Sequence, residues 1–187
     1  MIELNHLKKR KVLVVNSDIT NKNTANGQSI CNLIEALEER NLSVIVATTY
    51  NDGIASITSD ASICCVFVDW TSEEDNADSH SQALKLLQEI RRRNKTVPVL
   101  LMAEHACLET LTLETMELAN EFIWMQEDTA EFIASRSIAL IKKYFDQLLP
   151  PFTKALFNYT NGSPEYSWAA PGHQGGVAFT KSAVGRE

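Results

Sequence analysis

Five short apolar runs, separated by stretches with helical periodicity, constrain the fold of this 187-residue chain more than any other feature. The runs lie at residues 12–15, 43–48, 63–68, 97–102 and 121–125. Unbroken runs rich in Val, Ile and Leu are typical of strands buried on both faces of a parallel sheet. Since parallel neighbours need crossover helices, the alternation predicts a doubly wound α/β domain. We expect the flavodoxin-like strand order 2-1-3-4-5.

The segments between the runs carry the helices. Apolar spacing of three and four predicts helices at residues 28–40, 81–92 and 108–118, with a long helix up to residue 148. Asn51-Asp52-Gly53 is typical of a turn, and the short, weakly periodic stretch after it predicts a helix that ends at Ser59. Asn41 closes the first helix, and either Asp128 or Thr129 can cap the last one. The last helix has two apolar rows. The first consists of Ala134, Ile138, Ile141, Phe145 and Leu148, and the second of Ile133, Leu140 and Tyr144. We expect one row to face the sheet and the other to face a partner subunit.

Charge and composition restrict the class of protein. The net charge of −7 disfavours nucleic-acid binding. Two basic clusters run against this total. We interpret residues 8–11 as the solvated entrance to the first strand and residues 91–93 as a helix end that faces water. No apolar run reaches the roughly 20 residues of a membrane helix, and no signal peptide precedes the first strand. Cysteines occur without C-x-x-C spacing, which predicts reduced, structural thiols in the cytoplasm. They are Cys31, Cys64, Cys65 and Cys107.

The carboxyl ends of the strands are where an open α/β sheet binds ligands. Asp69 ends the third strand, where receiver domains carry their phosphoacceptor. The rest of a receiver site is missing, because only Asp18 follows strand one, residues 102–103 lack a Ser or Thr, and residues 125–126 lack a Lys. We therefore interpret Asp69 as a degenerate receiver position that simply ends a strand.

Other ligand motifs are weak or absent. No G-x-G-x-x-G follows the first strand and no G-x-x-x-x-G-K-[ST] occurs in the chain, so nucleotide binding is not predicted. A flavin phosphate loop would have to be built from residues 16–27, whose Ser, Thr and Asn content is compatible but generic. The four histidines and the cysteines do not have metal-ligand spacing, and we predict no metal site.

The tail carries the most specific pattern. Residues 148–157 read LLPPFTKALF and residues 165–179 read EYSWAAPGHQGGVAF, a segment with three glycines and no helical or strand period. These segments resemble the entry into the catalytic domain of the bacterial ornithine/lysine/arginine decarboxylases, and their wording is most similar to the acid-induced arginine enzymes. The resemblance extends back through residues 121–124 and 127–130 to the first strand, so it covers nearly the whole chain.

The resemblance implies a polypeptide of three parts. Residues 1–148 would form a receiver-like N-terminal wing, residues 149–164 a helical linker, and residues 165–187 the irregular, incomplete start of a domain that binds pyridoxal phosphate. The chain ends without a completed element, which we interpret as the first piece of a larger polypeptide. In such enzymes the wing joins dimers into a decamer of five dimers. The complete enzyme would convert L-arginine to agmatine and CO₂, consuming a proton and supporting acid resistance.

The same resemblance places the catalytic machinery elsewhere. The family's cofactor lysine lies in a downstream Ser-x-His-Lys stretch that is absent here, and Lys154 and Lys181 lie outside any such context. We predict no catalytic and no cofactor-binding residue in this chain. One loop carries over to the catalytic dimer interface, and within it we favour packing over active-site contact for His173. The loop consists of Pro171, Gly172, His173, Gln174, Gly175 and Gly176.

Alternatives accompany this interpretation. A stand-alone pseudo-receiver that binds a partner protein would have the same fold. A small flavin-binding protein is a second alternative and would be coloured on purification. Lysine and ornithine decarboxylases share the family architecture and are alternatives to the arginine enzyme.

A further hypothesis concerns assembly. Protonation of an acidic cluster near about pH 5 would lessen the electrostatic repulsion between subunits. The cluster consists of Glu73, Glu74, Asp75 and Asp78.

Overall fold

A five-stranded parallel sheet forms the centre of the domain. The computed structural model of the chain describes residues 10–70, 77–125 and 127–148. The strands are β1 (Lys11–Val15), β2 (Ser43–Ala47), β3 (Ile63–Trp70), β4 (Val99–Ala103) and β5 (Glu121–Trp124). Their order is β2-β1-β3-β4-β5, and all neighbours run parallel. The predicted fold class and strand order are confirmed.

Five α-helices and two 3₁₀ turns connect the strands. The helices are α1 (Ala25–Glu39), α2 (Tyr50–Ser59), α3 (Ala77–Arg93), α4 (Leu113–Leu118) and α5 (Ala130–Leu148), and the turns are Asp18–Thr20 and His105–Thr110. Helix α1 begins three residues earlier than predicted, because the Thr24 hydroxyl accepts a hydrogen bond from the Gly27 amide. The helix predicted at 108–118 is divided, because Thr112 caps a new helix in the same way. The turn predicted at residues 51–53 is wrong, because Thr49 caps α2 and these residues form its first turn.

The predicted helix ends have clear local causes. Asn41 has a φ of 62°, the left-handed conformation that commonly follows the last turn of a helix, and it follows α1 as expected. At the start of α5, the Thr129 hydroxyl accepts from the Phe132 amide at 3.3 Å. The other candidate, Asp128, instead accepts from the Trp124 amide at 3.1 Å and so fixes the turn between β5 and the helix.

Two apolar layers enclose the sheet. On the first face, α1 and α5 pack on alternate strand residues such as Val12 and Phe67. On the second face, α2, α3 and α4 pack on the intervening residues, such as Leu13 and Val66. A register shift between β1 and β3 leaves Cys64 without a partner in β1, so Cys64 and its neighbour both join the first layer.

Burial keeps the cysteines of the sheet protonated. Loss of solvent raises the pKa of Cys64 to about 11 and raises the pKa of Cys65 well above its usual value. Cys107 is also completely buried, whereas Cys31 is half-buried. The buried thiols pack as small hydrophobes, in agreement with the structural role that the sequence predicts.

Both apolar rows of α5 pack within the domain, which corrects the expectation that one of them faces a partner. Ile133 and Tyr144, from the second row, are nearly fully buried, and Leu140 packs against the first layer. The Tyr144 hydroxyl accepts a hydrogen bond from Asn94 at 2.8 Å. The exposed apolar residue of this helix is Phe132, which belongs to neither row. No helix among the described residues has the length and apolar character to cross a membrane.

Arg91 does not face water as predicted. Its guanidinium donates to the carbonyls of Val97 at 2.7 Å and Leu118 at 2.8 Å and to the Asn120 side chain at 2.8 Å. These bonds tie the end of α3 to the entrances of β4 and β5. The two arginines that follow it pair with Glu89 on the helix surface. The basic cluster is thus partly a structural brace and partly an intrahelical ion-pair network.

Candidate functional site

A cavity of about 250 Å³ lies where the carboxyl ends of β1, β2 and β3 meet. This is the switch point of the sheet, since the chain leaves β1 for β2 on one side and later returns to β3 on the other. Open α/β sheets bind ligands at such points. We call it the carboxyl-end cavity, and its lining is mostly polar. The lining residues are Val15, Asn16, Ser17, Thr48, Thr49, Tyr50, Asp69, Ser79 and Gln82.

Asp69 supplies the carboxylate of this lining. It is 5% exposed, and its own backbone carbonyl accepts a hydrogen bond from the Tyr50 hydroxyl at 3.0 Å. That bond ties the start of α2 to the end of β3. On the other side, His80 of α3 stacks on Trp70 with ring centroids 4.7 Å apart. The stacking holds the first turns of α3 beside the end of β3, where Ser79 reaches the cavity.

Asn16 supplies a buried amide. It is 2% exposed, and its Oδ1 accepts a hydrogen bond from the Asp18 amide at 2.8 Å. Its Nδ2 has no hydrogen-bond acceptor in the part of the chain that the structure describes. Since a buried N–H without an acceptor is costly, this amide is a position where a ligand oxygen would be stabilising.

Receiver-type phosphotransfer is not supported by this geometry. The Asp18 carboxylate, the one acidic side chain in the loop 16–24 after β1, accepts a hydrogen bond from Asn26 at 2.6 Å. Strand β4 ends at the buried Ala103, and the buried Met125 follows β5. The described residues contain no group of three His, Cys, Asp or Glu side chains that could hold a metal ion. The interpretation of Asp69 as a degenerate receiver position stays a prediction.

The loop between β1 and α1 does not offer a phosphate cradle. The amides of Asp18, Asn21 and Thr24 donate within the loop, to Asn16 Oδ1 and to the carbonyls of Asp18 and Asn21. The Gly27 amide donates to the Thr24 hydroxyl. A flavin phosphate needs such amides to point at it. The flavin alternative therefore has no support in the backbone of this loop.

A second hollow, of about 510 Å³, lies between α1 and the turn that connects β5 to α5. Its lining includes five carboxylates and no basic side chain. Such a surface repels phosphate groups, so this hollow is not suited to bind them. The carboxylates belong to Glu35, Glu39, Glu127, Asp128 and Glu131.

Several predicted positions lie outside the described residues. The loop Pro171, Gly172, His173, Gln174, Gly175 and Gly176 is among them, and so are Glu73, Glu74 and Asp75 and the side chain of Asp78. The proposed linker and the start of the catalytic domain, residues 149–187, also lie outside the described ranges. These assignments stay predictions.

The sequence alone did not reveal most of the cavity lining. Tyr50, Ser79 and Gln82 belong to α2 and α3 and come together with Asn16 only through the strand order. The signal that could have identified lining residues from the sequence was their position relative to the predicted strands. Polar residues that directly follow a buried strand lie at the carboxyl-end edge, as Asn16 and Thr48 do.

Comparison with known proteins identifies close relatives. The family model described as Orn/Lys/Arg decarboxylase, N-terminal domain, matches residues 25–144. The biodegradative arginine decarboxylase of Escherichia coli (strain K12) is 40% identical over 177 residues, which are 94% of this chain and 23% of that protein. The chain thus spans about a quarter of the length of that relative.

Solved structures agree with the fold. Lysine decarboxylase A from Pseudomonas aeruginosa superposes with a TM-score of 0.71 at 27% identity, over 90% of this chain and 23% of that one. A response regulator receiver domain from Methanospirillum hungatei JF-1 has a TM-score of 0.58 at 14% identity, over 74% of this chain and 98% of that one. The second likeness is one of fold alone.

Proposed function

Because this chain belongs to the Orn/Lys/Arg decarboxylase family, we propose that it is the N-terminal part of a cytoplasmic arginine decarboxylase dependent on pyridoxal phosphate. The observation that carries the arginine substrate is the 40% identity to an arginine decarboxylase over 94% of the chain, against 32% identity to the inducible lysine decarboxylase of Escherichia coli (strain K12) over 84%. The complete enzyme would form agmatine and CO₂ from L-arginine and consume a proton. Lysine or ornithine specificity is the competing outcome.

The proposed polypeptide has three parts. Residues 1–148 are the wing, 149–164 the linker and 165–187 the start of the catalytic domain, with the loop Pro171–Gly176 near the catalytic dimer interface. The cofactor supplies the electron sink for decarboxylation. No lysine lines the carboxyl-end cavity, so the described residues do not fit a site that holds this cofactor covalently. The wing would contribute to assembly and regulation instead of chemistry.

An exposed apolar surface beside edge strand β5 supports the assembly role. Leu113 is 73% exposed and Met116 is 42% exposed, one turn apart on α4, which precedes β5. Phe132, on α5 after β5, is 48% exposed. Exposed apolar side chains on the helices that flank an edge strand of the described sheet suit an interaction surface. We call Leu113, Met116 and Phe132 the β5 surface and propose that it contacts another subunit in the decamer of five dimers.

Acid would promote this assembly. The acidic segment at residues 73–78 and the net charge of −7 produce repulsion between subunits that weakens as carboxylates become protonated. Sedimentation of the full-length protein at about pH 5 and about pH 8 measures the effect, because these values bracket the region where carboxylates begin to protonate. An unchanged assembly state at both values would exclude this acid-promoted step.

The deciding experiment is the intact mass of the native gene product, followed by a decarboxylation assay. A polypeptide several times longer than 187 residues, which releases CO₂ from L-arginine in preference to L-lysine and L-ornithine, is expected. Preference for lysine or ornithine would retain the family and overturn the substrate.

A stand-alone pseudo-receiver module is the second candidate. It is favoured by the superposition on a receiver domain that the chain covers over 98% of its length. A native product of 187 residues that binds a protein partner and releases no CO₂ would establish this alternative and exclude the enzyme.

A further inference from the structure

We propose that the carboxyl-end cavity binds a small uncharged polyhydroxy compound, such as a sugar alcohol or a monosaccharide, through the Asn16 side-chain amide and the hydroxyl groups of the lining. The inference goes beyond the proposed function, because it concerns the wing alone and needs no catalytic domain. Four properties of the cavity support it, namely an unmet hydrogen-bond donor, a hydroxyl lining, the charges of the lining and the volume.

The unmet donor is the Nδ2 of Asn16. Asn16 lines the cavity and is 2% exposed. Its Oδ1 accepts a hydrogen bond from the Asp18 amide at 2.8 Å, so the reverse orientation of the carboxamide would set two donors against each other. The Nδ2 that this orientation leaves has no acceptor among the described residues. Because a buried donor without an acceptor is costly, oxygen atoms of a ligand would stabilise this position.

Hydroxyl groups line the same cavity. Ser17 follows β1, Thr48 follows β2, and Ser79 lies in the first turn of α3. A hydroxyl group can both donate and accept a hydrogen bond, so this lining matches a ligand whose own oxygens carry hydrogens. A compound with several hydroxyl groups can accept from Asn16 and also exchange hydrogen bonds with the serine and threonine side chains.

The charges of the lining favour an uncharged ligand. The described lining contains no lysine, arginine or histidine to neutralise an anion, and the Asp69 carboxylate would repel one. Asp69 already has a partner within the chain, so the cavity contains no carboxylate that requires a cation. A neutral compound avoids the repulsion and needs no counter-charge.

Size and ligand count exclude other classes. A volume of about 250 Å³ is below the about 300–1,000 Å³ typical of drug-sized pockets, so a dinucleotide or flavin does not fit. A divalent ion needs several oxygen ligands, and the described residues contain no cluster of three acidic or other metal-ligating side chains. A compound of the size of a sugar meets both limits.

The test is a ¹H–¹⁵N NMR titration of the 187-residue chain with glycerol, D-sorbitol and D-glucose. The Asn16 side-chain amide resonances, identified by their loss in Asn16→Asp, are expected to shift in a saturable way with at least one of these compounds. D-gluconate and D-glucosamine are charged counterparts of similar size and are expected to bind more weakly. Absence of a saturable shift at Asn16 with every neutral compound, or tighter binding of a charged counterpart, would overturn the proposal.

Variants of the hydroxyl lining test the contacts directly. Thr48→Val keeps the shape of the side chain and removes its hydroxyl, so it should weaken binding of the tightest neutral compound by about two- to tenfold, the effect of losing one neutral hydrogen bond. Ser79→Ala should have an effect of similar size. Thr58→Val, at an exposed position near the end of α2 and outside the cavity lining, is the matched control and should not change the affinity.

The outcome is independent of catalysis. A full-length protein that decarboxylates arginine while the wing shows no shift at Asn16 would keep the proposed function and refute the cavity ligand. Saturable binding at Asn16 in a protein that releases no CO₂ would do the reverse. Unchanged affinity in both Thr48→Val and Ser79→Ala, with dispersed spectra that show the variants are folded, would also refute the inference.

Discussion

The two faces of the sheet differ in what they leave uncovered. On the first face, the long helices α1 and α5 bury rows of apolar side chains against the strands. On the second face, α3 is long, but α2 has Gly53 as its buried residue and α4 has six residues, of which Thr115 is buried. Leu113 and Met116 of the β5 surface and the α2 and α3 residues of the carboxyl-end cavity belong to this second side.

The difference indicates a division of roles. Apolar burial contributes stability in proportion to the area removed from water, so the first face is where substitutions should cost most. Two helices of the second face, α2 and α4, are shorter than the helices of the first face. The groups that these two helices do not cover can contact ligands or subunits. We therefore expect changes on the first face to lower the free energy of unfolding, and changes on the second face to alter binding or assembly.

The largest expected effect compares a leucine from each face. Leu33 of α1 is completely buried, and Leu33→Ala should lower the free energy of unfolding by about 2–5 kcal/mol. Leu113 of α4 is 73% exposed, and Leu113→Ala should change it by about 0.5 kcal/mol or less. Urea unfolding with matched m-values measures both. Similar losses for the two variants would contradict the division between the faces.

The next effect compares two glycines near helix starts. A Cβ at Gly27 would collide with the backbone carbonyl of Asn21, which cannot move without opening the loop before α1. A Cβ at Gly53 would meet the side chains of Val15 at 2.9 Å and Leu86 at 3.3 Å, which can shift. Gly27→Ala should cost about 1–3 kcal/mol by overpacking.

Both changes gain about 1 kcal/mol of helix propensity over glycine. Gly53→Ala should cost less than Gly27→Ala, because the atoms that its Cβ meets belong to side chains that can shift. Thermal unfolding of the two variants gives the ranking. A larger loss at Gly53 would show that the second face is packed more rigidly than its contacts indicate.

A third comparison concerns assembly. In the full-length protein, the double change Leu113→Ser and Met116→Ser on the β5 surface should shift the population from the proposed decamer towards smaller species, because it removes exposed apolar contact area. Val46, 42% exposed on β2 at the opposite edge of the sheet, supplies the control change Val46→Ser. Sedimentation velocity measures the distribution. An equal shift for the control would remove the assignment of the interface to the β5 side.

The smallest expected effect is electrostatic and lies on α3. Hydrogen bonds from Arg92 and Arg93 lower the pKa of Glu89 from its ordinary value of 4.5 to about 2. Since the folded-state pKa is the lower one, the pairing stabilises the fold above about 4.5, and this stability is lost as pH falls through about 2. Glu89→Gln should lower Tm slightly at neutral pH, since surface pairs contribute little, and should match the wild type near pH 2. A Tm difference independent of pH would contradict this.

Much of the fold could be predicted because its signals are local. The run at residues 63–68 is apolar on both sides, which only a strand covered on both faces tolerates. The start of α1 was missed by three residues, although Thr24 was a readable cap. The single helix predicted at 108–118 failed for the same reason, because Thr112 interrupts it with a second cap.

Non-local features were not predictable. Arg91 looks like any surface arginine in a basic cluster, and only the folded chain brings the carbonyls of Val97 and Leu118 to its guanidinium. The second apolar row of α5 suggested a partner subunit, whereas Tyr144 packs within its own domain. Sequence periodicity shows that a side chain is apolar, but it does not show which surface will cover it.

The sequence by itself determined the doubly wound order and the family resemblance in the tail, because each depends on residue types at short spacing. Only the tertiary structure decided which polar residues meet. Asn16, Tyr50 and Gln82 lie up to 66 positions apart and share one cavity because β1 lies between β2 and β3. The physical reason is that side chains from distant segments meet only once the strands have paired, and the local pattern does not show which of them will line the same cavity.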